Sequence, residues 1–272
     1  MTLLDSATWT GQIYSDGWRE ALGGTRTIVE PATGNSLGTV GVANPADVEQ
    51  AAASAAKAQP EWAATPFAER AAVLRRAGEL VERHADEIHW WLVREGGSVL
   101  PKAGFETHVA AGECFEASAL PSRPYGQLLQ SEQPRFSMAR RLPAGVVGVI
   151  APFNAPLILS IRSIAPALAL GNAVVFKPDP RTAVCGGVVL ARLFEEAGLP
   201  PGVLHMLPGG PDVGEAVVAD PRVRVVSFTG STAAGRKVGE LAARHLKRAH
   251  LELGGNSALV ILDDADLDLA VS

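Results

Sequence analysis

Gly145 to Lys177 reads GVVGVIAPFNAPLILSIRSIAPALALGNAVVFK, and this stretch decides the fold. It opens on a nearly all-apolar, β-branched run, Val146 to Ile150, the pattern of a strand buried on both faces of a parallel sheet. A polar break, Ala151-Pro152-Phe153-Asn154, follows at once. Pro156 suits the first turn of a helix, the residues from Leu157 to Leu170 are long enough to form one, and Gly171-Asn172 can stop it. Ala173 to Phe176 is the next strand, ended by Lys177-Pro178. The unit is βαβ, and in such sheets ligands sit outside the carboxyl ends of the strands. Asn154 and Lys177 lie at two such ends. Either residue alone is better explained as a turn former or a solvated strand end; together, on one sheet edge, they make a candidate site.

The alternation continues downstream. A helix is expected over Thr182 to Ala197, a strand over Val203 to Met206, and a turn with Pro208-Gly209-Gly210-Pro211 leads into a helix running through Val218. Arg222 to Phe228 reads as a strand, Ser231 to Leu246 as a helix and Ala249 to Leu253 as a strand. Strands and helices alternating at these lengths predict an α/β fold built on a doubly wound parallel sheet.

Upstream, residues 1 to 44 read as loops and short strands, with Thr27-Ile28-Val29 and Thr39-Val40 forming a hairpin around Glu30 to Asn35. From Pro45 the texture is Ala-rich and helical: Val48, Ala51, Ala52 and Ala55 share a face, and Ala72, Leu74, Ala77, Leu80 and Val81 continue the spacing. Helices are expected over Asp86 to Arg94 and Phe105 to Ala119, with Ile88, Trp90 and Trp91 filling core. Pro121 to Pro134, containing Pro124-Tyr125-Gly126, reads as a connector. Beyond it Arg135 to Leu142 suits an exposed strand, and unpaired strand edges recruit partners.

The chain has 272 residues, 47% of them apolar, enough for a real core. A formal net charge of -5 with no run of like charges argues against nucleic acid and against an anionic membrane surface as partners. The first residues, MTLLDSATWTGQ, lack a basic region followed by an apolar one, and Ile161 to Leu170 is broken by Arg162 and Pro166. A cytoplasmic location is expected. Cys114 and Cys185 have no disulfide or zinc spacing, so they are expected to be small buried hydrophobes, and no metal site is expected.

Two further stretches carry chemistry. Phe228-Thr229-Gly230-Ser231 joins a strand to a helix N-terminus, where Gly permits close approach and free amides can receive phosphate. Gly230 to Lys237 is not a P-loop, because Lys does not directly follow the second Gly, and Gly209 to Gly214 lacks the GxGxxG spacing. Leu251-Glu252-Leu253-Gly254-Gly255-Asn256 sets one carboxylate in an apolar strand end. Burial there would raise its pKa towards neutrality, as a general base needs; a structural carboxylate paired with Lys247 or Arg248 is the equally open alternative.

PFN, then KPD, then FTGS, then LELGGN, in this order and at these separations, resembles the NAD(P)-dependent aldehyde dehydrogenase superfamily. Each piece is weak; the combination is specific and covers essentially the whole chain. GVVGVIAPFNAPL, ALALGNAVVFKPD, TAVCGGVV and GVLHMLPGG are similar to the wording of benzaldehyde dehydrogenases of aromatic degradation. The resemblance implies a Rossmann-like coenzyme-binding domain over 1–126 and 142–253, an exposed oligomerisation hairpin at 127–141 and the start of a catalytic domain at 254–272. That last piece would hold a first catalytic-domain strand over Ser257 to Leu262.

The resemblance also implies roles. Asn154 would hold the oxyanion formed when a cysteine thiolate attacks the aldehyde, and Glu252 would activate the water that hydrolyses the resulting thioester. Lys177 would bind the adenosine ribose hydroxyls, Gly210 and Gly214 would pack beside the adenosine, and Gly230-Ser231 would receive the pyrophosphate. Ile150, Pro152 and Phe153 would line the cleft near the nicotinamide, with Phe228 under the coenzyme. NAD is the expected coenzyme. Many NAD-preferring members carry a Glu three residues after the ribose-binding Lys, where this chain has Pro180 followed by Arg181, so NADP is admitted as well. A homo-oligomer, dimer or tetramer, is implied.

The family's nucleophilic cysteine lies a few tens of residues beyond the LELGG glutamate, whereas this sequence stops at Ser272, and neither Cys114 nor Cys185 is in its place. The expectation is therefore oxidation of an aldehyde, aromatic and benzaldehyde-like, with the cysteine outside these residues and no turnover by them alone. The alternative is a catalytically inactive fragment or an NAD(P)-binding module.

Overall fold

The computed structural model describes residues 2–124 and 126–271; Met1, Tyr125 and Ser272, which the domain bounds and the connector include, lie outside them. A short helix α1 (Ser6–Trp9) leads into the hairpin β1 (Gln12–Tyr14) and β2 (Trp18–Glu20). A second hairpin, β3 (Thr25–Val29) and β4 (Ser36–Gly41), turns over Glu30 to Asn35 as expected. Four helices follow: α2 (Pro45–Ala64), α3 (Phe67–Arg83), α4 (Ala85–Arg94) and α5 (Leu100–Ala119). β5 (Gly126–Leu129) and β6 (Ser137–Arg140) pair with each other in a separate two-stranded sheet. The rest alternates: β7 (Val146–Ile150), α6 (Pro156–Ala169), β8 (Ala173–Lys177), α7 (Val189–Glu196), β9 (Leu204–Met206), α8 (Pro211–Ala219), β10 (Val223–Gly230), α9 (Thr232–Arg244), β11 (Arg248–Leu253) and a terminal turn of helix, α10 (Leu267–Val271).

The main sheet has the order β11-β10-β7-β8-β9-β1-β2, and its first five strands run parallel. The chain builds outward through β8 and β9, then returns to lay β10 and β11 on the other side of β7. The strand order therefore reverses between β7 and β10, where doubly wound sheets open their ligand crevice.

Alternation along the central strands feeds two cores, because successive side chains leave a strand on opposite faces. Val147, Val149, Val174 and Phe176 join one cluster with residues of α3, α5, α6 and α7. Val146, Ile150, Ala173 and Val175 join the other with residues of α2 and α8. Gly148 is small for a reason: a Cβ there would lie 2.6 Å from Val217 Cγ1 on α8. The turn after α6 uses Gly171 at φ +83°, and the Asn172 carboxamide oxygen accepts from the N–H groups of Ala144 and Gly145, at 2.7 and 3.1 Å. That clamp fixes where β7 begins.

The doubly wound parallel sheet is as expected, extended at one edge by β1, which pairs antiparallel with β9, Tyr14 opposite Met206, and carries β2. Four expectations need correction. The helix expected from Thr182 begins as a wide π-type turn over Val184–Val188 before α7. Its cause is distant, since the buried Glu95 carboxylate accepts the N–H groups of Val184 and Cys185, while Gly186 and Gly187 admit Pro156 and Pro178 closely. Helix α5 starts at Leu100 rather than Phe105, with Pro101 in its first turn. Trp91 is core, but Trp90 is 45% exposed and stands edge-on to Trp91 beneath Arg94. Ser257 to Leu262 forms no strand; it is exposed chain, for a strand needs a neighbour to take its hydrogen bonds and none of the described residues provides one.

Candidate functional site at the carboxyl edge of the sheet

The five parallel strands end on one edge, and two adjoining clefts open there. The first, about 790 Å3, is lined by Ile150, Lys177, Gly210, Gly214 and Phe228 among others. The second, about 960 Å3, is lined by Pro152, Phe153, Asn154, Gly230, Ser231 and Glu252, and shares Ile150, Lys177 and Phe228 with the first. Every residue to which the resemblance gives a catalytic or coenzyme-binding role thus lines one of these clefts.

Each is positioned by its strand. Ile150 and Lys177 are the last residues of β7 and β8 and face each other in register. Lys177 is no solvated strand end: it is 7% exposed, and burial lowers its pKa against the opposing pull of Asp179 and Asp212. Among the described residues its Nζ reaches only the Pro178 carbonyl, at 3.4 Å, which leaves donor capacity to spare. Asn154 stands exposed after β7, its carboxamide without a hydrogen bond to the described residues.

The glycines make room. A Cβ on Gly214 would make ordinary contact with Lys177 Cδ at 3.6 Å and Ile150 Cδ1 at 3.7 Å, so the glycine keeps the cradle between helix α8 and the strand ends open by one methyl group. A Cβ on Gly230 would stand 2.6 Å from Phe228 Cζ; that glycine lets the ring lie across the end of β10. Ser231 caps α9 by accepting the Ala234 N–H at 3.3 Å, leaving the first amides of the helix without helical partners beside the cleft.

Glu252 departs from expectation. It sits on β11 opposite Thr229, as the strand reading requires, but its side chain is 63% exposed, and it meets His250 Nε2 at 3.1 Å rather than Lys247 or Arg248. β11 is the edge of the sheet, and no described residue covers its outer side. Lys247 bonds instead to the Asp220 carbonyl.

Sequence reading named Arg181 only as the residue after Pro180 and did not foresee its pairing. Arg181 bonds both oxygens of Asp179, Nε to Oδ1 and Nη2 to Oδ2 at 2.8 Å, and its guanidinium lies 3.7 Å from the centroid of the Phe153 ring. Burial works against ionisation of Asp179, but the Arg181 bonds prevail and hold the carboxyl below its ordinary value. The signal was an acid and an arginine two apart around Pro180, close after a strand end.

Both cysteines are buried and free, as expected. Burial pushes the Cys114 thiol up to about 12 and the Cys185 thiol well above its ordinary range, the latter reinforced by Glu95. Both thiols are sealed from solvent, whereas a nucleophilic thiolate needs access to its substrate. Among the described residues no group of His, Cys, Asp or Glu could hold a metal ion, and no helix is long and apolar enough to cross a membrane.

Residues 18–272 match the family model described as the aldehyde dehydrogenase family. All 272 residues of the chain align at 70% identity with a vanillin dehydrogenase of Amycolatopsis, covering 56% of that protein. A benzaldehyde dehydrogenase [NAD(+)] of Pseudomonas putida is 51% identical over 97% of the chain and 54% of its own length. The crystal structure of an NAD-dependent benzaldehyde dehydrogenase from Corynebacterium glutamicum superposes with a TM-score of 0.90 at 46% identity, over 95% of this chain and 58% of that one. The chain spans little more than half the length of these relatives.

Proposed function

The chain belongs to the aldehyde dehydrogenase family, and from that premise we propose that it carries the coenzyme-binding side of an NAD(P)-dependent oxidation of an aromatic aldehyde to its acid. One observation carries the reading: residues from five separate strand ends, far apart in sequence, converge on one pair of clefts at the point where the sheet reverses its order. The names of the relatives point to benzaldehyde-like and vanillin-like substrates.

The residues present fit a dinucleotide. The Gly214 cradle takes a flat ring, Lys177 offers donors to ribose hydroxyls, and the start of α9 offers backbone amides to a pyrophosphate. The coenzyme, when bound, takes up the hydride. Asn154 donates its carboxamide N–H to the substrate oxygen as that becomes an oxyanion, a contact of about 3 to 4 kcal/mol where such donors have been removed. Glu252 takes the proton of the attacking water, and its exposure leaves water free to reach it. The thiolate comes from sequence outside these residues, since Cys114 and Cys185 are sealed in the core. A homo-oligomer in the cytoplasm, joined through the β5–β6 hairpin, completes the reading.

The buried cysteines also favour a second reading, an NAD(P)-binding module that oxidises nothing by itself. Calorimetric titration with NAD+ tests what the two share. Saturable binding at one site, lost in Lys177→Met while the circular dichroism is kept, supports both readings; a folded protein that ignores the coenzyme overturns both. Acid formation from benzaldehyde or vanillin then separates them.

A further inference from the structure

We propose that Glu106 is a positioning residue for Asn154: reaching across from α5, it holds the start of α6 and with it the carboxamide that meets the oxyanion. This rests on the oxyanion role given to Asn154 above. Asn154 is exposed and its carboxamide has no hydrogen bond to the described residues, so the backbone on either side of it sets its place. Before it, the sheet does this: the Ala151 N–H donates to the Lys177 carbonyl at 3.1 Å, continuing the register of β7 on β8. After it, α6 begins with no cap of its own. Ala155, at the N-cap, offers no side-chain bond, and Pro156 has no N–H.

Glu106 supplies the missing partner from 51 residues away, its Oε2 accepting the Leu157 N–H at 3.2 Å. Its Oε1 takes the Lys102 ammonium, which also donates to Ser98 Oγ at 3.0 Å. Glu106 is 1% exposed. A carboxylate sealed so far from water is costly unless its oxygens are engaged, and here the helix amide and the lysine engage them. Its charge also suits a helix N-terminus. A second contact bears on the same turn. A Cβ on Gly186 would lie 2.7 Å from Pro156 Cβ, so the wide turn held by Glu95 closes directly on Pro156. Asn154 thus stands two residues before a tightly packed proline and three before the amide that Glu106 holds. With so short a tether, release of Leu157 shifts the carboxamide, and a misplacement of about 1 Å at a reacting group costs about a hundredfold in rate. Lys177, Gly214 and Gly230 belong to other elements, so the coenzyme side should not feel the change.

The test compares Glu106→Ala, which removes the acceptor, with Glu106→Gln, which keeps one. NAD+ affinity and melting are measured on this chain, and the first-turnover rate of reduced coenzyme formation on an enzyme that contains these residues, each also in an Asn154→Ala background. Glu106→Ala should lower that rate by about tenfold or more and Glu106→Gln by no more than about threefold, with NAD+ affinity kept within about twofold in both. In the Asn154→Ala background the further loss from Glu106→Ala should be no more than about twofold, because the group that it positions is gone. Should Glu106→Ala not fold, Lys102→Met, which frees one carboxylate oxygen from the surface side, should lower the rate in the same way and again only with Asn154 present. An unchanged rate, an equal loss with and without Asn154, or NAD+ affinity falling in step with the rate would make Glu106 a helix cap only and overturn the proposal. A native rate in Asn154→Ala itself would overturn the oxyanion reading, and the proposal with it.

Discussion

The buried carboxylate of Glu95, at the end of α4, accepts the backbone N–H of Cys185 at 2.6 Å across 90 residues of sequence. It takes the Val184 N–H as well, so one side chain ties the helical layer to the turn behind β8. Burial pushes the Glu95 carboxyl up to about 7 from an ordinary 4.5, with the bonds from Cys185 and Val184 pulling the other way. The folded protein thus keeps this proton where the unfolded chain has released it. The stability contributed by the group is full below about 4.5 and is lost as pH rises through about 7. Glu95→Gln has no such titration. The stability difference between native protein and variant should change by something on the order of 3 kcal/mol across that interval. Melting curves of both proteins at closely spaced pH values check this, and parallel curves would contradict it.

Gly230→Ala should damage the cleft more than the fold. The new methyl would lie 2.6 Å from Phe228 Cζ, the far end of a ring that can swing, and the direction open to it is the cleft that it lines. Coenzyme affinity should fall by about tenfold or more, while stability drops by no more than about 1 to 3 kcal/mol, the usual cost of one overpacked methyl. Affinity and melting temperature measured together separate the two effects.

In an enzyme that contains these residues, Glu252→Gln should lower acid formation by about a hundredfold or more, the usual contribution of a general base, and leave coenzyme affinity unchanged. The side chain is open to solvent, so loss of folding would not confuse the result. Rapid mixing should show reduced coenzyme formed in the first turnover and acid released slowly afterwards; acid formation at the native rate would remove Glu252 from the mechanism.

The β5–β6 hairpin presents Leu128, Phe136 and Met138 to solvent, each more than half exposed. If it joins subunits, Leu128→Glu with Phe136→Glu should dissociate the assembly without lowering the melting temperature of the protomer, because neither side chain supports a core. Sedimentation velocity before and after substitution decides this. An unchanged sedimentation coefficient would leave the hairpin without that role.

The parallel core was legible because burial on both faces leaves a plain signature: Val146 to Ile150 and Ala173 to Phe176 are apolar without alternation. The positions of the candidate site residues were legible for a related reason, since a polar or glycine residue where such a run stops has few places to be other than the sheet edge. The features that escaped depend on partners far away in the chain. β1 and β2 are three residues each, too short for a period, and exist because β9 offers an edge. The wide turn at Val184 answers to Glu95. Glu252 reads as buried within LELGG, yet its burial depends on what covers β11, which that stretch cannot reveal. Ser257 to Leu262 has the composition of a strand and lacks a neighbour to pair with. The Arg181–Phe153 stack joins residues 28 positions apart that are polar in one case and aromatic in the other, a pairing no periodicity marks.

The most direct test of the central claim is amide hydrogen exchange of the protein with and without NAD+. The account predicts slowed exchange at the strand ends, over residues 150–154, 177–181, 209–214 and 228–233, with the β5–β6 hairpin unaffected. Protection centred elsewhere, or none at saturating coenzyme, would contradict the assignment of this edge as the coenzyme site.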